Sequence, residues 1–101
     1  MERRTMKNLS RIQSALSSRK EDLFQKYHVK NMAIFGSYAR NEQKRNSDLD
    51  ILVEFKSPVG IEFVDLANYL EQLLKIRVDL VSRRGIKAKY FKEIKGDLKY
   101  V

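Results

Sequence analysis

The stretch MAIFGSYARNEQKRNSDLDILVEF, residues 32–55, decides the fold of this chain. Its first apolar run ends at Gly36, a polar loop without apolar residues follows at 41–47, and a second apolar run contains Asp48 and Asp50. Because successive side chains of a β-strand point to opposite faces, these two aspartates share one face. Acidic residues are poor strand formers, so carboxylates within an apolar run indicate a functional requirement.

Hydrophobic periodicity predicts further helices and strands on both sides of this stretch. The predicted elements are, in chain order, a helix over about 8–27, a strand over 29–35, a short helix beginning at Tyr38, a strand over 48–55, a helix over 61–74, a strand over 77–82, a helix over 86–95 and a tail over 98–101 that could add an edge strand. This order indicates an α/β (α+β) fold, with one small mixed sheet of three to four strands and flanking helices.

The length of 101 residues predicts a single domain over residues 1–101. We expect an N-terminal helix at about 8–27, a core with the aspartates at about 29–82, and a C-terminal helix and tail at 86–101. The chain has no cysteine, which excludes disulfides, thiolate zinc sites and cysteine nucleophiles. No apolar stretch approaches the roughly 20 residues of a membrane span. The N-terminus lacks the apolar region of a signal peptide. We therefore expect a cytoplasmic protein without a membrane partner.

The net charge of +8 is unevenly distributed along the chain. Residues 1–30 contain eight Lys or Arg against three acids, residues 31–60 contain four against four, and residues 61–101 contain nine against six. The aspartates thus lie in a neutral middle with basic ends. Such an excess is typical of solvated helix faces, but it also favours a polyanionic partner such as a nucleotide, RNA or an acidic protein. Charge alone does not choose between these interpretations.

Asp48 and Asp50 are the first candidate metal ligands. On a strand their backbones lie about 6–7 Å apart, and two anions at that range repel by roughly 3 kcal/mol at an effective dielectric constant near 20. A divalent cation between them reverses the sign of this interaction, and carboxylate oxygens suit Mg²⁺ or Mn²⁺. Paired acids also occur at strand ends on ordinary surfaces, so this pair alone decides little.

A third acid, Asp79, strengthens the metal hypothesis. It lies in a later apolar strand, 29 residues after Asp50, and the helix predicted between them has the length of a crossover connection. We therefore expect the two strands to lie side by side or close together. Three carboxylates could hold two metal ions about 3.5–4 Å apart and promote in-line phosphoryl or nucleotidyl transfer. The alternative is that Asp79 pairs with a nearby lysine, since structural ion pairs also place acids among apolar residues.

Gly36 and Ser37 form a candidate phosphate-binding turn. A glycine after a strand lets backbone amides approach an anion without an intervening Cβ, and a serine at a helix start adds a hydroxyl and the positive end of the helix dipole. An ordinary strand-to-helix turn is the alternative for this dipeptide. Arg40 lies three residues after Ser37. It could contact phosphate, or it could pair with Asp48 or another acid and hold the loop.

The combined pattern IFGSYAR, SDLDILVEF and VDLV resembles the minimal nucleotidyltransferase (MNT) family, which belongs to the nucleotidyltransferase superfamily of DNA polymerase beta. The superfamily motif is Gly-Ser, about 8–13 residues, two acids separated by one residue, and a later third acid. The matching residues are Gly36, Ser37, Asp48, Asp50 and Asp79. The resemblance extends from about residue 8 to 101. Family members often have a glycine after the GSxAR segment, where this chain has Asn41, which tolerates the left-handed conformation that glycine would adopt.

The resemblance implies a polymerase beta-like nucleotidyltransferase fold and a metal-dependent transfer of a nucleoside monophosphate. In this mechanism Asp48 and Asp50 bind two Mg²⁺ ions, and Asp79 completes the second metal site and helps to activate an incoming hydroxyl. Gly36 and Ser37 hold the β- and γ-phosphates of ATP or another nucleoside triphosphate. Pyrophosphate leaves, and the protein contributes positioning and charge neutralisation.

The resemblance also implies a protein partner, because minimal nucleotidyltransferases are commonly encoded beside a HEPN-domain RNase toxin as its antitoxin. Such an antitoxin can transfer AMP from ATP to a tyrosine of the toxin and silence it. Two alternatives stay open: a non-catalytic antitoxin that neutralises its partner by contact, and a basic RNA-binding protein that uses residues 83–99. The second is less favoured. The three intact aspartates favour the enzyme, since a protein that acts only by contact does not need them.

Overall fold

The computed structural model describes residues 8–101. The predicted domain begins at residue 1, so its first seven residues lie outside the described part. The helices are α1 (Leu9–Ser18), α2 (Lys20–Lys26), α3 (Ile61–Leu74) and α4 (Ala88–Ile94), followed by a 3-10 helix at Lys95–Asp97. The strands are β1 (Val29–Phe35), β2 (Leu49–Phe55), β3 (Val78–Ser82) and β4 (Lys99–Tyr100).

The four strands form one mixed sheet in the order β3-β2-β1-β4. β1 is antiparallel to both β2 and β4, whereas β2 and β3 are parallel. The parallel pair is joined by α3, as expected for a crossover connection. The predicted fold class, a small mixed sheet with flanking helices, is confirmed, and the tail over 98–101 does add a short edge strand.

The single helix predicted over 8–27 is wrong, because the chain breaks at Arg19 into α1 and α2. The Arg19 backbone has φ −118° and ψ 8°, and its amide donates to the Leu16 carbonyl rather than continuing the helical pattern. The Ser18 hydroxyl donates to the Ala15 carbonyl at 2.9 Å, a local bond of the type that weakens helix interiors. Asn8 caps α1 by accepting a hydrogen bond from the Arg11 amide at 2.9 Å.

The short helix predicted to begin at Tyr38 is also wrong, because residues 37–41 form a single helical turn. The Glu42 amide donates to the Ser37 carbonyl at 2.8 Å, and the Asn41 amide donates to the Tyr38 carbonyl at 3.2 Å. This pair of bonds is the Schellman pattern that ends a helix through one left-handed residue. Asn41 is that residue, with φ 58°, which confirms the prediction that asparagine replaces glycine here.

The two faces of the sheet have different coverings. Leu49, Ile51 and Val53 of β2 are fully buried in the main core, which the sheet forms with α1, α2 and α3. On the opposite face Leu52 packs with Phe35 and Ile94 in a smaller cluster below α4. This alternation was predicted from the sequence. It leaves Asp50 on the face of the smaller cluster, at the edge of α4. Within residues 8–101, no helix has both the length and the apolar character needed to cross a membrane.

Candidate active site

Asp50 and Asp79 are neighbours on the parallel strands β2 and β3. They are directly paired in the register, and their side chains are close enough for one carboxyl group to hydrogen-bond the other. Partial burial, then the charge and hydrogen bond of Asp79, and then the charge of Asp48 together raise the pKa of Asp50 from 3.8 to about 6. Without a bound cation, Asp50 therefore retains its proton to a higher pH than a free aspartate does.

Asp48 lies at the same end of β2, but its carboxylate is turned to a different partner. Its Oδ1 atom is 3.0 Å from Nε of Arg77, and both side chains are largely exposed, at 48% and 74%. An exposed pair of this kind contributes at most about 1 kcal/mol. Asp48 can therefore leave Arg77 at little cost if a stronger cation binds nearby.

Gly36 packs directly against the Asp50 carboxylate. Phe35 pairs with Asp50 in the β1–β2 register, and Gly36 turns the chain with φ +76°. A Cβ atom at this position would overlap Oδ2 of Asp50. Glycine is thus required both by the left-handed backbone and by the close approach of the carboxylate.

Two backbone amides follow Gly36 at the start of the turn. The first helical bond runs from the Arg40 amide to the Gly36 carbonyl at 3.2 Å, so Gly36, rather than Ser37, occupies the cap position. In residues 8–101 the Ser37 and Tyr38 amides and the Ser37 hydroxyl donate no hydrogen bond. Unpaired amides that follow a glycine suit an anion such as a phosphate.

Arg40 pairs with acids in the structure. Its Nη1 atom is 2.7 Å from Oδ2 of Asp97, and its Nε atom is 3.0 Å from Oε1 of Glu42. The two carboxylates raise the pKa of Arg40. These contacts connect the turn to the C-terminal segment. They match the second of the two roles considered for Arg40, in which it pairs with acids and holds the loop. The positive charge of Arg40 partly offsets the rise in the pKa of Asp50. Arg40 therefore also lies within electrostatic range of the site.

Two residues at this site were not predicted as part of it. Arg77 precedes Asp79 by two residues, as Asp48 precedes Asp50, so the parallel register that pairs the aspartates also brings Arg77 to Asp48. Tyr90 of α4 packs edge-on against Phe35, with ring centroids 6.4 Å apart. Its pKa is raised by partial burial and then by the charges of Asp50 and Asp79. The shared spacing could have indicated Arg77. Tyr90 could stack on a base, but an aromatic residue at such a position is more often core or surface filler, so the sequence does not assign Tyr90 to the site.

The donor set suits a hard divalent cation, although its arrangement is incomplete. Within the described residues 8–101, no group of three acidic, histidine or cysteine side chains is positioned to hold a metal ion, and the Asp48 carboxylate is paired with Arg77. Asp50 and Asp79 nevertheless present adjacent carboxylates, and the pKa of Asp50 is raised by burial and then by the charge of Asp79. Adjacent carboxylates that repel each other are suitable ligands for Mg²⁺ or Mn²⁺, because a divalent cation neutralises their charge.

Comparison with known sequences agrees with this geometry. Residues 14–100 match the family described as a nucleotidyltransferase domain. A relative from Methanocaldococcus jannaschii, assigned as a protein adenylyltransferase, is 52% identical over 98 residues, which cover 95% of this chain and 100% of the relative.

Solved structures give the same result. A protein assigned as a minimal nucleotidyltransferase superposes with a TM-score of 0.72 and 32% identity, covering 89% of this chain and 88% of that one. A chain of a toxin–antitoxin complex with AMP-PNP superposes with a TM-score of 0.69 and 28% identity, covering 82% of this chain and 69% of that one. Nucleotidyltransferases of this fold generally use divalent metal ions. The chain described here belongs to the minimal nucleotidyltransferase family, with its polymerase beta-like fold, and is a nucleotidyltransferase.

Proposed function

We propose that this protein transfers AMP from ATP to a tyrosine hydroxyl of a HEPN-domain toxin, with Mg²⁺ as its cofactor, and so acts as an antitoxin. The observation on which this rests is the adjacent carboxyl pair of Asp50 and Asp79 beside the Gly36 turn. That arrangement combines an acidic cation site with a backbone phosphate site, the two elements that nucleotidyl transfer from a triphosphate needs.

The residues have distinct roles in this proposal. The amides and hydroxyl that follow Gly36 bind the β- and γ-phosphates of ATP, and Arg40 lies at the end of the same turn. Asp48, Asp50 and Asp79 hold the metal ions. To do so, Asp48 leaves its ion pair with Arg77. Bound Mg²⁺ would neutralise the charge that accumulates on the phosphate oxygens and on the carboxylates.

The proposed reaction is a single displacement at the α-phosphorus. The tyrosine oxygen forms a bond to this phosphorus, and the bond to the bridging oxygen of pyrophosphate breaks. The proton of the tyrosine hydroxyl passes to a carboxylate. Asp79 is suited to receive it, because its side chain is exposed to solvent at the open edge of the site.

The comparisons support the substrate and the partner. The relative at 52% identity is assigned as a protein adenylyltransferase, which supports AMP as the transferred group and a protein as the acceptor. The solved complex is a toxin–antitoxin pair with an ATP analogue, which supports a nucleotide site and a toxin partner. The resemblance to minimal nucleotidyltransferases adds the HEPN class and the tyrosine.

The test is incubation of the protein with ATP, Mg²⁺ and the product of the neighbouring gene, followed by mass spectrometry of that product. We expect an added mass of one or more AMP groups on a tyrosine, dependent on the metal ion. Asp50→Asn and Asp79→Asn should abolish the modification. Asp65→Asn is a suitable control, because it removes an exposed acid of α3 that lies away from the site.

A parallel assay of toxin activity separates catalysis from neutralisation by contact. We expect the double variant Asp48→Asn/Asp50→Asn to bind the toxin without restoring growth. If this variant neutralises the toxin as well as the wild type does, the partner is silenced by contact and the transferase proposal fails. Absence of any adduct in the presence of ATP, CTP, GTP or UTP would have the same consequence.

A further inference from the structure

A second concave surface lies at the opposite end of the sheet from the aspartates. One cavity of about 570 Å³ is bounded by the ends of β2 and β3 and by the segment after each strand. A second cavity of about 490 Å³ lies along α4. Arg83 and Ile86 line both cavities, so the two cavities adjoin on the surface. We call them together the basic groove, defined by Arg83, Arg84, Ile86, Lys89, Phe91 and Lys92 and, in the first cavity, by Phe55 and Phe63.

The basic groove is separate from the candidate active site. Glu54, which lines its first cavity, lies four residues after Asp50, or about 13 Å along an extended strand. Leu52 of the smaller hydrophobic cluster lies between Asp50 and Glu54 on the same face of β2. A molecule bound in the groove would therefore not compete for the carboxylates.

The cations of the groove are available to a ligand. Within residues 8–101, Arg84, Lys89 and Lys92 form no ion pair, and all three are exposed. Glu54 is the acid in the lining, and it is already engaged by Asn31 at 3.1 Å and by Lys30 at 3.9 Å. On α4 itself, the exposed Glu93 offsets one positive charge. The groove consequently retains an excess of positive charge that attracts an anion.

Aromatic rings lie in both cavities beside these cations. The Arg83 guanidinium is stacked 3.8 Å from the centroid of the Phe91 ring, on the side of the second cavity. In the first cavity Phe55 and Phe63 lie with ring centroids 6.4 Å apart. A planar guanidinium between two aromatic-lined cavities offers stacking surfaces on which unpaired bases can lie.

We propose that the basic groove binds single-stranded nucleic acid, with two neighbouring nucleotides in its two cavities. The cations contact the phosphates, and the bases stack on the Phe91–Arg83 pair and on the phenylalanines of the first cavity. Charge alone would suit an acidic polypeptide equally well. The aromatic surfaces favour nucleic acid, because aspartate and glutamate side chains have no ring to stack on them.

The test is fluorescence anisotropy with a labelled 12-nucleotide oligouridine at several salt concentrations. We expect Arg84→Gln/Lys92→Gln to weaken binding at least tenfold and to reduce the salt slope by about 1.4, since each phosphate contact with a single strand contributes about 0.7. The matched control Arg11→Gln/Lys20→Gln removes two exposed charges from α1 and α2 and should change neither quantity by a comparable amount. Arg83→Lys retains charge but loses the planar stack, so it should weaken binding without changing the slope.

Competition assays complete the design. Saturating ATP and Mg²⁺ should leave the affinity for oligouridine unchanged if the groove is separate from the active site. Polyglutamate of matched charge should compete poorly. Equal losses for the groove variant and the control variant would overturn the proposal, as would no binding at 50 mM salt or competition by polyglutamate as strong as that by the oligonucleotide. None of these outcomes depends on whether the protein adenylylates a partner.

Discussion

Asp50→Asn should make the protein more stable while removing its activity. The wild-type carboxylate is held partly buried beside Asp79, with a folded-state pKa of about 6 against 3.8 for the free group. The folded state therefore retains this proton over a pH range in which the unfolded state has lost it. Stability contributed by this group falls as the pH rises from about 4 through about 6, and the loss is complete above that range.

The size of the effect follows from the shift. A difference of about two pKa units corresponds to roughly 3 kcal/mol of destabilisation at neutral pH. Because the side chain is only partly buried, solvent screening reduces this figure, and we expect about 1–2 kcal/mol. For a domain of this size such a gain raises Tm by roughly 5–10 °C. Asparagine has nearly the same shape as aspartate and no charge, so the variant should recover this amount.

The stability gained by Asp50→Asn can be measured by thermal and urea denaturation, followed by circular dichroism at pH 4 and pH 7.5 in the presence of EDTA. The free energy of unfolding of Asp50→Asn should be higher than that of the wild type at pH 7.5 and equal to it at pH 4. The control Asp65→Asn should show no pH-dependent difference, because this exposed acid lies on α3, away from the site. The reasoning is refuted if Asp50→Asn is no more stable than the wild type at pH 7.5, or if its advantage is the same at both pH values.

Three other predictions concern the turn and the ion pair beside the site. Gly36→Ala should lower the free energy of unfolding by about 2 kcal/mol or more and abolish transfer, because the new Cβ meets the Asp50 carboxylate at φ +76°. Gly60→Ala, with no atom within 4 Å of the added Cβ, is the control and should be tolerated in urea denaturation. Asn41→Gly should keep wild-type stability, whereas Asn41→Val should lose about 1–2 kcal/mol at the left-handed position; equal melting temperatures would contradict this. Arg77→Gln should change stability by less than about 1 kcal/mol and, by releasing Asp48, should tighten Mg²⁺ binding in calorimetry; weaker binding would show that Arg77 positions Asp48 instead.

The sequence predicts the strands and the acidic residues well because both depend on short-range patterns. Alternation along β2 determines which of its residues face the core, and it correctly separates Leu49 from Asp50. The spacing between Asp50 and Asp79, filled by one helix, predicts adjacent strands, and the structure pairs these two residues directly. The left-handed conformation of Asn41 follows equally from a local property of its side chain.

The errors arise where a weak local preference competes with tertiary contacts. The apolar spacing over 8–27 continues through Arg19, so periodicity does not reveal that the chain breaks there and packs as two helices. The partner of Asp48 depends on which residue the parallel register brings beside it, and the choice of Arg77 is a property of the assembled sheet. The roles of Gly36, Ser37 and Arg40 in phosphate binding, and of the three aspartates in catalysis, stay predictions.

The α3 crossover has a consequence for how this family can vary in length. Inserting or deleting one residue between β2 and β3 would turn alternate side chains of β3 to the opposite face, unless a loop absorbed the change. Asp79 would then point into the main core, and an apolar side chain would take its place beside Asp50. Functional relatives should therefore vary in the composition of this connection but conserve its effective length, even though the helix itself supplies no ligand.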